Sequence, residues 1–338
     1  MDKQSIFGQN KILNHPERLA EWQSGGDKTL ITVELDLTNA CNNSCPKCAG
    51  WFGDRGKESL TGDEATSYLS QAKALGAKAV TITGGGEPLL NLDVLRVIKF
   101  TRSIGLDCGF ISNGLLADKE VAEVIMQSCT WCRISLDADC REERIVTHGV
   151  DDFKIVVENI KRLTQLKKEL RSNCTVGTGF LTGEHTVSHM EGFVKISKEL
   201  GVDYAQFRPF HHDKTDISKD YHRLNEKYSD DKFKVVASIH KYSRYSEEKA
   251  RPYTKCYGVN FTTVIAADAE MYICCHMRGI KKYSLGNLRE REMYKLWEHR
   301  EEIFQTIDFH DCPPFCRCDE FNRVLFEIKQ EKQHMNFL

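Results

Sequence analysis

Residues 29–50 read TLITVELDLTNACNNSCPKCAG, an alternating strand that runs directly into a loop with three cysteines. In the strand, Thr32, Glu34, Asp36 and Thr38 share one face, and Ile31, Val33, Leu35 and Leu37 share the other. Side chains alternate with a period of two along a strand, so one face can pack while the other stays polar. Strand-like segments recur at 78–83, 106–112, 132–137, 174–181 and 202–209. Helical patterns lie between them, at roughly 61–75, 91–104, 118–128, 151–170 and 187–200. This order predicts parallel strands joined by right-handed crossovers. Parallel strands covered on both faces read as continuous apolar runs. Here Arg133, Ser135 and Asp137 oppose Ile134 and Leu136, and Tyr204, Gln206 and Arg208 oppose Ala205 and Phe207. The expected fold is therefore α/β, a partial (β/α)6 TIM-like barrel around a polar lumen, with a flat doubly wound sheet as the alternative.

Composition bounds the rest. The chain has 338 residues, 41% of them hydrophobic, enough for two domains or for one barrel with an extension. Lys+Arg 47 against Asp+Glu 49 leaves a net charge of -2, which gives no field for nucleic acid or for an anionic membrane. No apolar run approaches membrane-span length, and the start MDKQSIFGQNKIL lacks the apolar core of a secretion signal, so a cytoplasmic location is expected. The expected division is a lead-in at 1–28, a barrel core at 29–210, a helical connector at 211–255, and a small cysteine-rich domain with a terminal helix at 256–338.

Fourteen cysteines in such a chain point to metal ligands or catalysis rather than to disulfides. Cys41-x3-Cys45-x2-Cys48 follows the first strand, at the face where barrels of this kind carry their active sites. A structural zinc would need a fourth ligand, and the next histidine is His148, so three thiolates with an open coordination position are the sharper reading. Cys108, Cys129, Cys132, Cys140 and Cys174 are scattered and read as small buried hydrophobes. Cys129-x2-Cys132 runs into a strand rather than opening a helix, which argues against a redox pair. His185-x3-His189 lacks a third ligand in the sequence and reads as a solvated helix face. The second strand ends in Thr83-Gly84-Gly85-Gly86-Glu87-Pro88, where bare glycines admit a ligand to the backbone. A phosphate loop is disfavoured, since no Lys-Ser/Thr follows and the carboxylate would repel phosphate.

With these motifs in order, the chain resembles the radical SAM superfamily over about 29–209. Its signature is Cys-x3-Cys-x2-Cys at this place; the residue before the third cysteine is usually aromatic and here is Lys47. The resemblance implies a [4Fe-4S] cluster on Cys41, Cys45 and Cys48, whose open iron chelates S-adenosylmethionine (SAM) and cleaves it to a 5′-deoxyadenosyl radical. It further implies SAM contacts from Gly85, Gly86 and Glu87, from Asn113 in Ile111-Ser112-Asn113-Gly114, and from Ser135. Gln206 and Arg208 face the lumen as substrate contacts, the arginine suited to a carboxylate or phosphate or else to pairing with Glu34 or Asp36. His211 and His212 follow at the mouth, and no general base is identifiable.

The late stretch Cys256-x17-Cys274, with Cys312-Pro-Pro-Phe-Cys316 further on, resembles an auxiliary cluster domain of the SPASM or Twitch type. Asp268-Ala-Glu-Met-Tyr-Ile-Cys274 matches its hairpin, with Ala269 where glycine is usual. One auxiliary [4Fe-4S] cluster on Cys256, Cys274, Cys312 and Cys316 is expected, with Cys275 and Cys318 as spares or substitutes and a zinc ribbon as the alternative. The resulting expectation is an enzyme that abstracts hydrogen from a small polar metabolite such as a sugar, aminocyclitol or nucleotide derivative. The auxiliary cluster would carry electrons for a net oxidation, as in the dehydrogenases of aminoglycoside biosynthesis, and flavodoxin or ferredoxin would be the external donor. A maturase of a ribosomally made peptide is the second reading. The 28 residues before the first strand are too few for the leader-binding domain that many such enzymes carry. A non-catalytic iron–sulfur or zinc module is the third, and the Gly85-Gly86-Glu87 element argues against it.

Overall fold

All six alternating segments form strands: β1 (Thr32–Asp36), β2 (Ala79–Thr83), β3 (Asp107–Ser112), β4 (Trp131–Ser135), β5 (Thr175–Thr182) and β6 (Tyr204–Pro209). The structure is a computed structural model that describes residues 10–48, 56–210, 213–238, 242, 251–313, 316, 318–330 and 333. His211 and His212 lie outside the described residues. The six strands pair in chain order and in parallel, from Thr32 opposite Ala79 to Gly177 opposite Tyr204. Their apolar faces, such as Val33 and Leu35, Cys132 and Ile134, and Ala205 and Phe207, enter one large core. The helices of this part are α1 (Pro16–Gln23), α2 (Gly62–Ala74), α3 (Val94–Ser103), α4 (Lys119–Ser128), α5 (Arg141–His148), α6 (Phe153–Glu169) and α7 (Met190–Glu199), of which α2, α3, α4, α6 and α7 bury apolar side chains in this core. Local chemistry sets their ends. Thr61 and Glu64 form a reciprocal capping box on α2, and the Asp118 side chain caps α4.

One expectation needs correction, and the cysteine-rich segment adds a finding of its own. The connector at 211–255 is not only helical: α8 (Ser218–Tyr228) leads into β7 (Lys234–Ala237), which pairs in parallel with β6. Four residues in a Lys- and Tyr-rich stretch give too short a run for their alternation to register. The cysteine-rich segment is not a separate sheet. Its β8 (Thr262–Ile265) pairs in parallel with the outer edge of β1, and β9 (Glu270–Tyr272) and β10 (Ser284–Asn287) follow antiparallel. One ten-stranded sheet thus runs β10-β9-β8-β1-β2-β3-β4-β5-β6-β7. The β8–β9 turn places Ala269 at φ 67, the left-handed region that favours glycine.

The chain ends in α9 (Met293–Glu298), α10 (Arg300–Gln305) and α11 (Asp319–Lys329). The lead-in joins this end of the molecule. Ile12, Trp22 and Ile31 form a second apolar cluster with Phe261 and Leu325, and the Trp22 ring meets Tyr257 and Phe261 edge-on at 5.5 and 5.7 Å. Among the described residues, no helix is long and apolar enough to cross a membrane.

Candidate functional site: the cysteine loop over a polar barrel

The cysteine loop leaves the C-terminal end of β1 and is fastened on two sides. On one side it docks on the glycine turn after β2: the Gly86 N–H donates to Thr38 O at 2.9 Å and the Glu87 N–H to Ala40 O at 2.8 Å. A Cβ at Gly86 would run into the Ala40 carbonyl, so this glycine is needed for contact between two loops of the chain itself. On the other side the loop rests on the C-terminus of α5. The Ser44 N–H donates to His148 O at 3.0 Å, and Gly149 ends the helix at φ 71 with Ser44 packed where a Cβ would stand.

Cys41, Cys45 and Cys48 are half-buried free thiols in this loop. Burial, reinforced by Cys48, Asp137 and Cys41, pushes the Cys45 thiol up to about 12. The Cys45 Sγ lies 3.5 Å from His148 Nδ1, which accepts from Asn43 Nδ2 at 2.9 Å; His148 Nε2 then donates to Asp137 Oδ2 at 3.1 Å. Burial pulls His148 below its usual pKa, while Asp137 opposes the shift. Burial works against the Asp137 carboxylate, but His148, Arg208 and the Leu181 N–H together hold it below the ordinary carboxylate range.

Glu87, which the resemblance assigns to the SAM amino group, is 3% exposed and already engaged. Its Oε1 accepts from Ser112 Oγ at 2.8 Å and from the Leu89 N–H at 3.1 Å, and its Oε2 from the Asn113 N–H at 2.8 Å. Burial raises its pKa against these donors. Asn113 in turn holds the cysteine loop through Nδ2, at 2.6 Å to Asn42 Oδ1 and 3.1 Å to Asn43 Oδ1. Glu87 and Asn113 are thus a brace under the loop; Gly85 is buried, with the Asn39 side chain where a Cβ would stand, and Ser135 is half-buried at the end of β4. Arg144 on α5 completes the brace. Its five N–H groups reach Asp152 at 2.7 and 3.0 Å, Ser135 O at 2.6 Å, Leu136 O at 3.0 Å and Asn113 O at 3.2 Å.

Inside the lumen, the Arg133 Nη1 donates to Gln206 Oε1 at 2.7 Å. Glu34 and Asp36 do not pair with Arg208. Arg278, from the segment after β9, takes both, with Nη2 3.3 Å from Glu34 Oε2 and Nε 2.6 Å from Asp36 Oδ2. Burial raises Asp36 and Arg278 opposes it. Arg278→Ala strands the buried Asp36 carboxylate and is expected to cost about 3–5 kcal/mol. In the variant the Asp36 pKa lies still further above its unfolded value, so stability falls as pH rises through that window and is regained on acidification. Urea titrations of both proteins at pH 5 and 8 check this; a cost that does not shrink at the lower pH rejects it.

The late cysteines also converge. The Cys274 thiol meets Cys275 and Cys318, Cys318 meets Cys316, and Cys256 and Cys312 both feel the Cys318 thiol. Cys318, expected as a spare or a substitute ligand, thus lies near Cys256, Cys274, Cys312 and Cys316. A single tetrahedral zinc bound at about 2.3 Å requires its sulfurs about 3.8 Å apart. Among the described residues no three cysteine sulfurs lie within 4.8 Å of one another; the one trio of potential ligands that close is Asp139, Cys140 and His189. His189 is thus not a bare solvated residue: its Nδ1 is 2.6 Å from Asp139. Cys129 pairs with Cys108 at 3.8 Å and Cys132 with Cys174, all buried, so Cys129 and Cys132 form no redox couple.

The Radical SAM superfamily model matches residues 35–195, and an iron-sulfur cluster-binding domain, SPASM, matches residues 256–319. The chain belongs to the radical SAM superfamily and carries a SPASM domain. Such a radical SAM domain implies a [4Fe-4S] cluster and SAM, and the SPASM domain implies auxiliary iron–sulfur chemistry. The radical SAM chain is 24% identical over 322 residues to the AdoMet-dependent heme synthase of Methanosarcina barkeri (strain Fusaro / DSM 804), covering 86% of this chain and 89% of that protein. It is 26% identical over 188 residues to the mycofactocin maturase MftC of Mycobacterium ulcerans (strain Agy99), covering 55% of this chain and 49% of that one. In fold it is similar to Streptococcus suis SuiB bound to precursor peptide SuiA, with a TM-score of 0.65 at 16% identity over 84% of this chain and 68% of the other.

Proposed function

We propose that this radical SAM protein abstracts hydrogen from a small polar metabolite held in the barrel lumen, with the SPASM domain carrying electrons toward a net oxidation. The observation that supports the reading is the Cys41–Cys48 loop braced on the end of β3 through Asn113, with the polar side chains of Arg133, Gln206 and Arg208 on the nearby strands β4 and β6. Cys41, Cys45 and Cys48 would hold the first cluster, which supplies the one-electron cleavage of SAM when both are bound. Gly85 and Ser135 would face the cofactor. Glu87 and Asn113 would act through the loop they brace, as positioning residues. Cys256, Cys274, Cys312 and Cys316 would hold the auxiliary cluster, with Cys318 as the strongest competitor for one of these places. The polar walls bind and orient substrate, and closure around them excludes water from the reacting carbon. A ferredoxin or flavodoxin would deliver the electron.

The heme synthase, which matches along most of its length, supports a small-molecule substrate. A peptide maturase is the second reading, supported by the match to MftC and by the fold shared with SuiB. Anaerobic reduction of reconstituted protein with SAM is expected to release 5′-deoxyadenosine and methionine. Absence of both products rejects the radical reading. Deuterium transfer into 5′-deoxyadenosine from a labelled metabolite pool, and not from a labelled peptide pool, separates the two substrate classes.

A further inference from the structure

A structural arginine in this protein looks like Arg144, with every N–H on an acceptor. The lumen holds two that do not. Arg133 is 8% exposed, and Gln206 Oε1 is its one hydrogen-bond acceptor among the described residues. The Nε atoms of Arg133 and Arg208 are both buried without a partner. Neither side chain forms an ion pair with any described residue, because the acids that could serve are taken. Glu34 and Asp36 belong to Arg278, and the Asp137 oxygens belong to His148 and the Leu181 N–H. The two guanidinium groups flank one glycine: the position a Cβ would take on Gly179 is 3.5 Å from Arg133 Nε and 3.6 Å from Arg208 Nη2. Gln206, 6% exposed, gives its oxygen to Arg133, so its amide NH2 adds donors to the same space. Burial and then the nearby charge of Arg208 lower Arg133 to about 9.

We propose that Arg133, Gln206 and Arg208 form a receptor for an oxyanion of the substrate, a carboxylate or a phosphate, bound across the Gly179 gap. This rests on the radical SAM reading and narrows its substrate to an anionic one. Buried Arg133 and half-buried Arg208 feel the charge of Asp137 but form no ion pair with it, so a counter-charge across the Gly179 gap would offset their mutual repulsion. Planar guanidinium forks match both oxyanions, and the bare backbone at Gly179 leaves room for either.

The test uses the reconstituted full chain with inorganic phosphate or acetate as probe, at constant ionic strength against chloride. At least one probe is expected to raise the melting temperature in a saturable way. A stronger response to phosphate marks a phosphoryl substrate, and a stronger response to acetate a carboxylate. Arg133→Gln and Arg208→Gln should each weaken the response about tenfold or more. Gln206→Glu places a carboxylate between the arginines; it should raise the melting temperature of the probe-free protein and abolish the response. No saturable response to either anion, or a Gln206→Glu protein that melts at or below wild type, overturns the proposal. So does phosphate or acetate that competes with SAM, since the arginines would then serve the cofactor. These melting readouts need no turnover, so they fail or succeed independently of 5′-deoxyadenosine release.

Discussion

Cys45→Ala is expected to abolish 5′-deoxyadenosine release, by more than the roughly hundredfold that loss of an outer partner of a metal ligand causes. Cys45 lies at the centre of its loop. It feels the other two thiols and Asp137, and it touches the His148 ring. Burial pushes its thiol up to about 12, so a cluster bound through Cys45 would displace a proton. The fold should survive the change, because the loop is fastened by Asn113, Ser44 and Glu87 rather than by sulfur. Anaerobic iron content should fall from about eight to about four per chain, the remainder belonging to the auxiliary cluster. A Cys45→Ala protein that keeps all its iron and still cleaves SAM would place the first cluster elsewhere. Cys274→Ala offers the matched contrast: it should remove the auxiliary iron and leave SAM cleavage in place, whereas loss of that iron in Cys318→Ala as well would make Cys318 one of the four ligands.

The barrel was legible because its strands alternate. Thr32, Glu34 and Asp36 against Val33 and Leu35 state in five residues that one face is apolar and the other polar. The three-cysteine loop and the glycine turn were legible because their chemistry demands fixed spacing. What stayed hidden is the machinery that holds them. Helix α5 reads REERIVTH, and its periodicity is inverted: Ile145 and Val146 are 37% and 55% exposed, while Glu143, Arg144 and His148 are buried. Pattern reading looks for an apolar buried stripe and passes over a helix whose buried face is ionic. Arg278 was hidden for a different reason. Its partners Glu34 and Asp36 stand 244 and 242 residues away, and nothing local marks the pairing. Without it, Arg208 looked like their natural mate. Cys318 was hidden because six late cysteines offer more ligands than one cluster needs, and only convergence in space ranks them.

Arg144→Ala is expected to be among the most destabilising single changes in the chain. The side chain is 0% exposed and closes a bidentate pair with Asp152. Removing one partner of a buried pair costs about 3–5 kcal/mol, because the other charge remains. The carbonyls of Asn113, Ser135 and Leu136 also lose donors, and each buried acceptor left bare costs about 1–3 kcal/mol. Against a total stability of about 5–15 kcal/mol, the sum leaves little or no folded protein at 37 °C. Arg144→Lys keeps the charge but has three donors on one nitrogen, so it cannot span Asp152 and two strand ends at once. It should fold with reduced stability and bind SAM weakly, since Asn113 and Ser135 lose the clamp that sets their positions. Urea unfolding followed by tryptophan emission, together with SAM titration of the lysine variant, measures both effects. An alanine variant within 1 kcal/mol of wild type, or a lysine variant with unchanged SAM affinity, would show that the ends of β3 and β4 hold the loop without α5.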